Sequence, residues 1–218
     1  MKKKIEETVS NEKIIAILRK VPTESFPDTV KALYEGGIRM MEITFDQSGQ
    51  MTEEETCRQI RYIADHYPDI ALGAGTVMTT KQVRKAVEAG AGYIISPNVK
   101  KEVIQETVRL KAVSMPGAFT PTEAAMAYEY GADYVKIFPA GTMGPGYVKD
   151  MLAPLSQVHF LAVGGIDEKN LKSYLDAGCV GVGVGSSLVN KKLIREGRFT
   201  ELKELAETFV SAAKKENT

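Results

Sequence analysis

Short apolar runs alternate with longer amphipathic segments along the whole chain. The runs are Ile14–Leu18, Met40–Phe45, Ile70–Gly73, Tyr93–Ser96, Ala112–Met115, Tyr134–Phe138, Phe160–Val163 and Val180–Gly185. Their starts lie roughly 20–30 residues apart, the spacing of strands that are each followed by a helix. Near-continuous apolarity means that both faces of each strand are buried, as in a parallel sheet covered by helices. Eight such units in 218 residues predict an α/β fold, a (β/α)8 TIM barrel in one domain spanning residues 1–218. A helical extension is expected ahead of the first strand. A closing helix is expected at the end, where Leu202, Leu205, Ala206, Phe209, Val210 and Ala213 form a stripe at helical spacing.

A weak internal repeat marks the joints. Glu35-Gly36-Gly37, Glu88-Ala89-Gly90, Glu129-Tyr130-Gly131 and Asp176-Ala177-Gly178 each close an amphipathic segment just before a strand, where glycine serves as a helix C-cap. Thr79-Thr80-Lys81-Gln82 and Thr120-Pro121-Thr122-Glu123 carry the hydroxyls and the proline that suit helix starts.

Composition excludes several classes of function. With 28 Lys+Arg against 28 Asp+Glu, the chain lacks the basic excess of a sequence-independent nucleic-acid binder. Cys57 and Cys179 are too few for a disulfide scaffold and lack the spacing of a zinc site, so both are expected to be packing residues. No run approaches a membrane span, and Met1-Lys2-Lys3-Lys4 is followed by no apolar stretch of the secretory kind, so a cytoplasmic protein is expected. The two histidines, His66 and His159, have no paired ligand spacing, so neither a metal nor a cofactor is expected. Met40, Met41, Met115 and Met126 read as core filler, and Glu53-Glu54-Glu55 as a solvated first helical turn.

In such a barrel the chemistry sits at the C-terminal ends of the strands. Polar groups inside or just after the apolar runs are therefore the candidates: Arg19, Glu42, Thr76, Lys136 and the glycine-serine turns that follow the last two strands. Lys136, flanked by Val135 and Ile137, stands in a strand with no solvent face. Desolvation there lowers an ammonium pKa and makes an amine nucleophile available, although an edge-strand or ion-paired lysine is the other reading. Glu42 interrupts Met40-Met41-Glu42-Ile43 and could meet Lys136 across the lumen, as a proton shuttle or as half of a structural ion pair. Gly164-Gly165-Ile166 and Gly183-Val184-Gly185-Ser186-Ser187 read as turns whose N–H groups cradle a phosphate, and Gly73-Ala74-Gly75-Thr76 as a similar turn.

Taken in order, Ala16-Ile17-Leu18-Arg19, Glu42-Ile43-Thr44, Gly73-Ala74-Gly75-Thr76-Val77, Ile95-Ser96-Pro97, Met115-Pro116-Gly117, Lys136-Ile137-Phe138-Pro139, Gly164-Gly165-Ile166 and Gly185-Ser186 resemble one family. It is that of the class I 2-keto-3-deoxy-6-phosphogluconate (KDPG) and 4-hydroxy-2-oxoglutarate (KHG) aldolases. The resemblance implies Lys136 as the Schiff-base lysine and Glu42 as the acid/base. It implies Arg19 and Thr76 near the keto-acid carboxylate, Pro97 and Phe138 shaping the pocket, and Gly164, Gly165, Gly185 and Ser186 at the phosphate. A metal-independent cytoplasmic homotrimer acting on a small keto-acid phosphate is implied as well, with KDPG or KHG cleaved to pyruvate and an aldehyde.

Two positions depart from the family pattern. Asp46 stands where several gluconate-type members carry an arginine, which leaves Arg19 as the expected carboxylate partner. Val163 stands where many of them have threonine, and Ala162-Val163-Gly164-Gly165 is more similar to the branch acting on 2-keto-3-deoxy-6-phosphogalactonate. The C4 stereochemistry of the substrate is thus open. The rival readings are an epimerase or thiamine-phosphate synthase on a similar barrel, and a non-catalytic sugar-phosphate-binding barrel.

Overall fold

Each apolar run forms a parallel strand in the computed structural model, which describes residues 2–214. Met1, part of the N-terminal run read above, and 215–218, the tail of the expected domain, lie outside the described residues. The strands are β1 (Ile14–Leu18), β2 (Met40–Thr44), β3 (Ala71–Gly75), β4 (Tyr93–Ile95), β5 (Val113–Met115), β6 (Gly117–Ala118), β7 (Val135–Ile137), β8 (Phe160–Val163) and β9 (Gly181–Val184). The helices are α1 (Lys2–Glu12), α2 (Phe26–Glu35), α3 (Glu53–His66), α4 (Thr80–Glu88) and α5 (Lys101–Arg109), followed by α6 (Pro121–Glu129), α7 (Ala140–Leu152), α8 (Leu171–Asp176), α9 (Lys191–Arg195) and α10 (Phe199–Lys214).

The strands pair in the order β5-β4-β3-β2-β1-β9-β8-β7-β6. One end, β5, is the expected fifth strand; the other, β6, is a ninth short strand just beyond it, absent from the eight expected runs and separated from β5 by Pro116. Proline has no N–H to give to the ladder, so the strand breaks there, yet its carbonyl still accepts from the Lys136 N–H at 2.9 Å. The Ser114 carbonyl also accepts from the Asp133 and Tyr134 N–H groups at 3.0 and 3.2 Å, so the sheet closes on itself here and the TIM-type barrel expected from the pattern forms.

Strand alternation sorts the side chains into two cores. Ile14, Ala16, Leu18, Met41, Ile43, Val135, Ile137, Phe160 and Ala162 face outward and pack under the helices. Ile15, Met40, Ala71, Tyr93, Ile95, Val113, Met115, Tyr134 and Leu161 fill the lumen, together with Ile5 and Val9 of α1. The N-terminal extension is thus a stopper: its two buried side chains, each worth about 1.5–3 kcal/mol, seal the N-terminal end of the barrel. The closing helix α10 buries Leu202, Ala206, Phe209 and Ala213. It crosses α2 so closely that a Cβ at Gly36 would run into Ala206.

The local signals hold. Gly37, Gly90, Gly131 and Gly178 all have positive φ at helix ends, and Thr79 and Thr120 cap α4 and α6 by accepting from Gln82 and Glu123 N–H groups. Two readings need correction. Met126 is 38% exposed on α6, because its turn faces away from the sheet, whereas Met40, Met41 and Met115 are buried. The acidic turn of α3 is not merely solvated: Glu53 and Glu54 pair with Lys85 of the next helix at 2.7 and 2.9 Å. Glu55 closes a capping box with Thr52.

Candidate active site

With the lower lumen filled, the next inward layer toward the C-terminal end holds the polar groups. Glu42 follows Met40 by two residues on β2, and Lys136 on β7 follows by two the lumen residue Tyr134 just before that strand, so both turn into the barrel one layer above the packed floor. They line a cavity of about 390 Å³ with Ile17, Arg19, Phe138, Val163, Gly164, Gly165, Ile166, Gly183, Gly185, Ser186, Ser187, Val189 and Lys191. Lys136 is 6% and Glu42 2% exposed. The Phe138 ring covers the Lys136 ammonium nitrogen, whose Nζ lies 4.6 Å from the ring centroid. Glu42 Oε2 has no hydrogen-bond partner among the described residues, so the carboxyl is not consumed by a structural ion pair.

Burial dominates the electrostatics of the pair. It lowers the Lys136 pKa; Glu42 opposes that shift and the Arg19 charge adds to it. Burial raises the Glu42 pKa, against the pull of Lys136 and Arg19. Both shifts favour the uncharged forms, an amine that can attack and a carboxyl that can donate a proton. Arg19 itself is exposed at the end of β1.

The two glycine turns present a cradle of N–H groups. Gly164 and Gly165 have φ of 91° and 74°, a left-handed pair that reverses the chain directly after β8. Their carbonyls are tied from outside: Gly164 accepts from the Gly141 N–H at 2.8 Å and Gly165 from Asn170 Nδ2 at 2.8 Å. The Gly185 carbonyl accepts from the Leu188 and Val189 N–H groups. The N–H groups of Gly165, Ile166, Ser186 and Ser187 have no protein acceptor among the described residues, the condition for receiving an anion. Lys191 adds a cation to this wall. Sequence reading missed it, although Asn190, a good N-cap, signals a helix start that folds the chain back to the turn.

Other expected residues are placed differently. Thr76 and Pro97 stand just past the ends of β3 and β4 and do not line the cavity. Gly73-Ala74-Gly75 is not a turn but the body of β3, extended to residue 75. Its glycines make room inside the barrel: a Cβ on Gly73 would collide with the Tyr93 ring, and one on Gly75 with Glu42 Oε1.

Asp46 points away from the cavity and organises its own loop. It accepts from the Ser48, Gln50 and Met51 N–H groups at 3.0, 2.7 and 3.0 Å and pairs with Lys20 at 3.0 Å. Burial pushes its carboxyl up, but the Ser48 N–H, Lys20, the Ser48 hydroxyl and the Met51 N–H hold it well below the usual carboxylate range. Lys20 also reaches Ser48 and Gln50, fastening the β1 exit, and with it Arg19, to the β2 exit. Asp46→Ala is expected to speed amide exchange at Ser48, Gln50 and Met51 by about tenfold or more. Unchanged protection factors would show that the loop holds without the latch.

Among the described residues no helix is long and apolar enough to cross a membrane. The family model of KDPG and KHG aldolase matches residues 5–205. The chain is 38% identical to the 2-dehydro-3-deoxy-6-phosphogalactonate aldolase of Escherichia coli K12 over 80% of its own length and 83% of that protein's. It is 33% identical to the KHG/KDPG aldolase of the same organism, over 84% of each. A crystal structure of KDPG aldolase from Legionella pneumophila, with pyruvate captured as a covalent carbinolamine, superposes with a TM-score of 0.84 at 26% identity, covering 94% of this chain and 97% of that one. A buried amine beside a buried carboxyl at the mouth of this barrel accords with that similarity, and the chain belongs to the KDPG and KHG aldolase family of lyases.

Proposed function

We propose that this one-domain enzyme cleaves 2-keto-3-deoxy-6-phosphogluconate to pyruvate and glyceraldehyde 3-phosphate through a Schiff base on Lys136. The observation that carries the reading is the layer in which Lys136 and Glu42, both buried, face one cavity that is also lined, past the ends of β8 and β9, by turns with unpartnered N–H groups. Lys136 attacks the C2 ketone while Glu42 donates a proton to the ketone oxygen. The carbinolamine then loses water, leaving an iminium. Glu42, now a carboxylate, accepts the C4 hydroxyl proton as the C3–C4 bond breaks, and the electron pair moves into the iminium to form the enamine. The aldehyde leaves, C3 is protonated, and water releases pyruvate and restores the amine.

Arg19 faces the substrate carboxylate and Phe138 shields the amine, while Thr76 and Pro97 lie past the ends of β3 and β4, outside that lining. Gly164, Gly165, Gly185 and Ser186 take the phosphate. With Lys136 and Glu42 both biased toward their uncharged forms, the cavity wall keeps Arg19 and Lys191 as its cations, a balance suited to a substrate that is anionic at both ends.

A second reading, cleavage of the galactonate epimer, is favoured by Val163 in the cavity wall, where a hydroxyl contact to C4 is absent. KHG cleavage to pyruvate and glyoxylate would use the same amine and carboxyl. We further propose a cytoplasmic homotrimer; the exposed apolar side chains Val108, Met126 and Tyr128 on neighbouring helices supply surface for assembly.

Borohydride reduction in the presence of pyruvate and EDTA is expected to add one reduced pyruvate per chain by intact mass. Rates with the two phosphorylated epimers and with KHG then rank the substrates. A folded protein that binds a sugar-acid phosphate but traps no adduct would instead mark a non-catalytic binding barrel.

A further inference from the structure

Among the described residues, the buried side-chain atoms that lack a hydrogen-bond partner are Glu42 Oε2, Thr44 Oγ1 and Tyr93 Oη. They do not lie at random. Glu42 is in register with Gly73, and Gly73 with Tyr93, so the three residues stand side by side across β2, β3 and β4. Thr44 follows Glu42 by two on the same strand and is in register with Gly75. Because β3 offers only glycine hydrogens at these two inward positions, the Tyr93 ring lies over Gly73 and the Glu42 carboxyl over Gly75. Two polar groups from strands that do not touch thus converge over a glycine floor. A native interior rarely leaves one buried polar atom unsatisfied, and three in one place mark a polar pocket. One internal water, which needs two to four polar partners, is the group that such a pocket would take.

We infer that Tyr93 is a positioning residue for Glu42: through one internal water shared with Thr44, its hydroxyl donates to the Glu42 carboxylate and holds it over Gly75. The inference rests on the proposed Schiff-base reading, since it gives Tyr93 a part in proton transfer at Glu42. Tyr93 is fully buried, and its hydroxyl is pushed far above the ordinary tyrosine value, chiefly by burial and further by Glu42. It therefore stays protonated at any working pH and keeps a proton to donate. A donor to the ionised form stabilises that form, so the hydroxyl opposes the burial that drives Glu42 toward the acid. The other charged or titratable groups acting on Glu42 are Lys136 on β7 and Arg19 after β1; β3 contributes none.

The test uses Tyr93→Phe, which keeps the ring over Gly73 and removes only the hydroxyl, together with Thr44→Val. Loss of the donor raises the Glu42 pKa, so the limb of the pH–kcat/KM profile that reports Glu42 is expected to move to higher pH. A shift of about half to one unit corresponds to one hydrogen bond. KM for substrate should change little, and the rate of pyruvate methyl-hydrogen exchange in D2O should fall several-fold. Borohydride trapping is run alongside. If the wild type traps pyruvate but both variants keep its profile within about 0.2 unit, Tyr93 is only a filler of the lumen and the inference fails alone. If the wild type traps nothing, the Schiff-base reading fails and this inference with it.

Discussion

Lys136→Met is expected to lose the pyruvate adduct completely and to lower turnover by about 10⁴-fold or more, while the barrel stays folded. Removing a covalent nucleophile leaves no alternative route to the iminium, and losses of that order follow from deleting a nucleophile in other enzymes. Methionine matches lysine in length and suits a site that is 6% exposed and roofed by the Phe138 ring. The amine's burial is itself unfavourable, so its removal is not expected to weaken the fold. Glu42 loses a positive neighbour, but burial already biases it toward the uncharged acid, so no unpaired charge is stranded. Intact mass after borohydride, steady-state turnover and a thermal melt together decide the matter. A mutant that still turned over within tenfold of wild type would place the chemistry elsewhere.

The second large effect comes from adding one methyl group. Gly75→Ala is expected to lower kcat by about 10²–10⁴-fold, the usual worth of a positioned acid/base. The new Cβ falls on the space held by the Glu42 carboxyl. The φ of Gly75 is not positive, so alanine fits the backbone, and the carboxyl at the end of a flexible side chain is what moves. The fold should therefore tolerate the change.

Gly73→Ala makes the informative contrast. Its Cβ meets the Tyr93 ring, which is locked in the lumen and cannot swing out. That variant is expected to lose about 1–3 kcal/mol of stability by overpacking. Equal effects of the two alanines on stability and on kcat would mean that β3 is a structural strand only, with no part in placing Glu42.

Much of this was legible in the residues. β1 and β8 match their apolar runs residue for residue, because a strand buried on both faces needs little beyond its apolar run. Lys136 and Glu42 stood out because a charge in such a run has nowhere to go but the lumen. Gly164-Gly165 and Gly185-Ser186 fell where a C-terminal mouth requires turns. The glycines of β3 were misread for a reason of the same kind. Two glycines look alike as a turn and as a floor, and only the side chains lying over them tell the two apart.

The eight apolar runs, the inward or outward face of each strand residue and the proposed pair Lys136 and Glu42 are local properties, set by period-two alternation and by the penalty on buried charge. Which inward residues meet is not local. Register across β2, β3 and β4 placed Tyr93 next to Glu42, and the reach of long loops brought Lys191 to the anion wall and turned Asp46 away from it to clasp Lys20. The sequence by itself determined the barrel and the two buried charges on which the proposed chemistry rests. The tertiary structure decided the partners of each reacting group, because contacts between residues far apart in the chain depend on how the whole sheet closes.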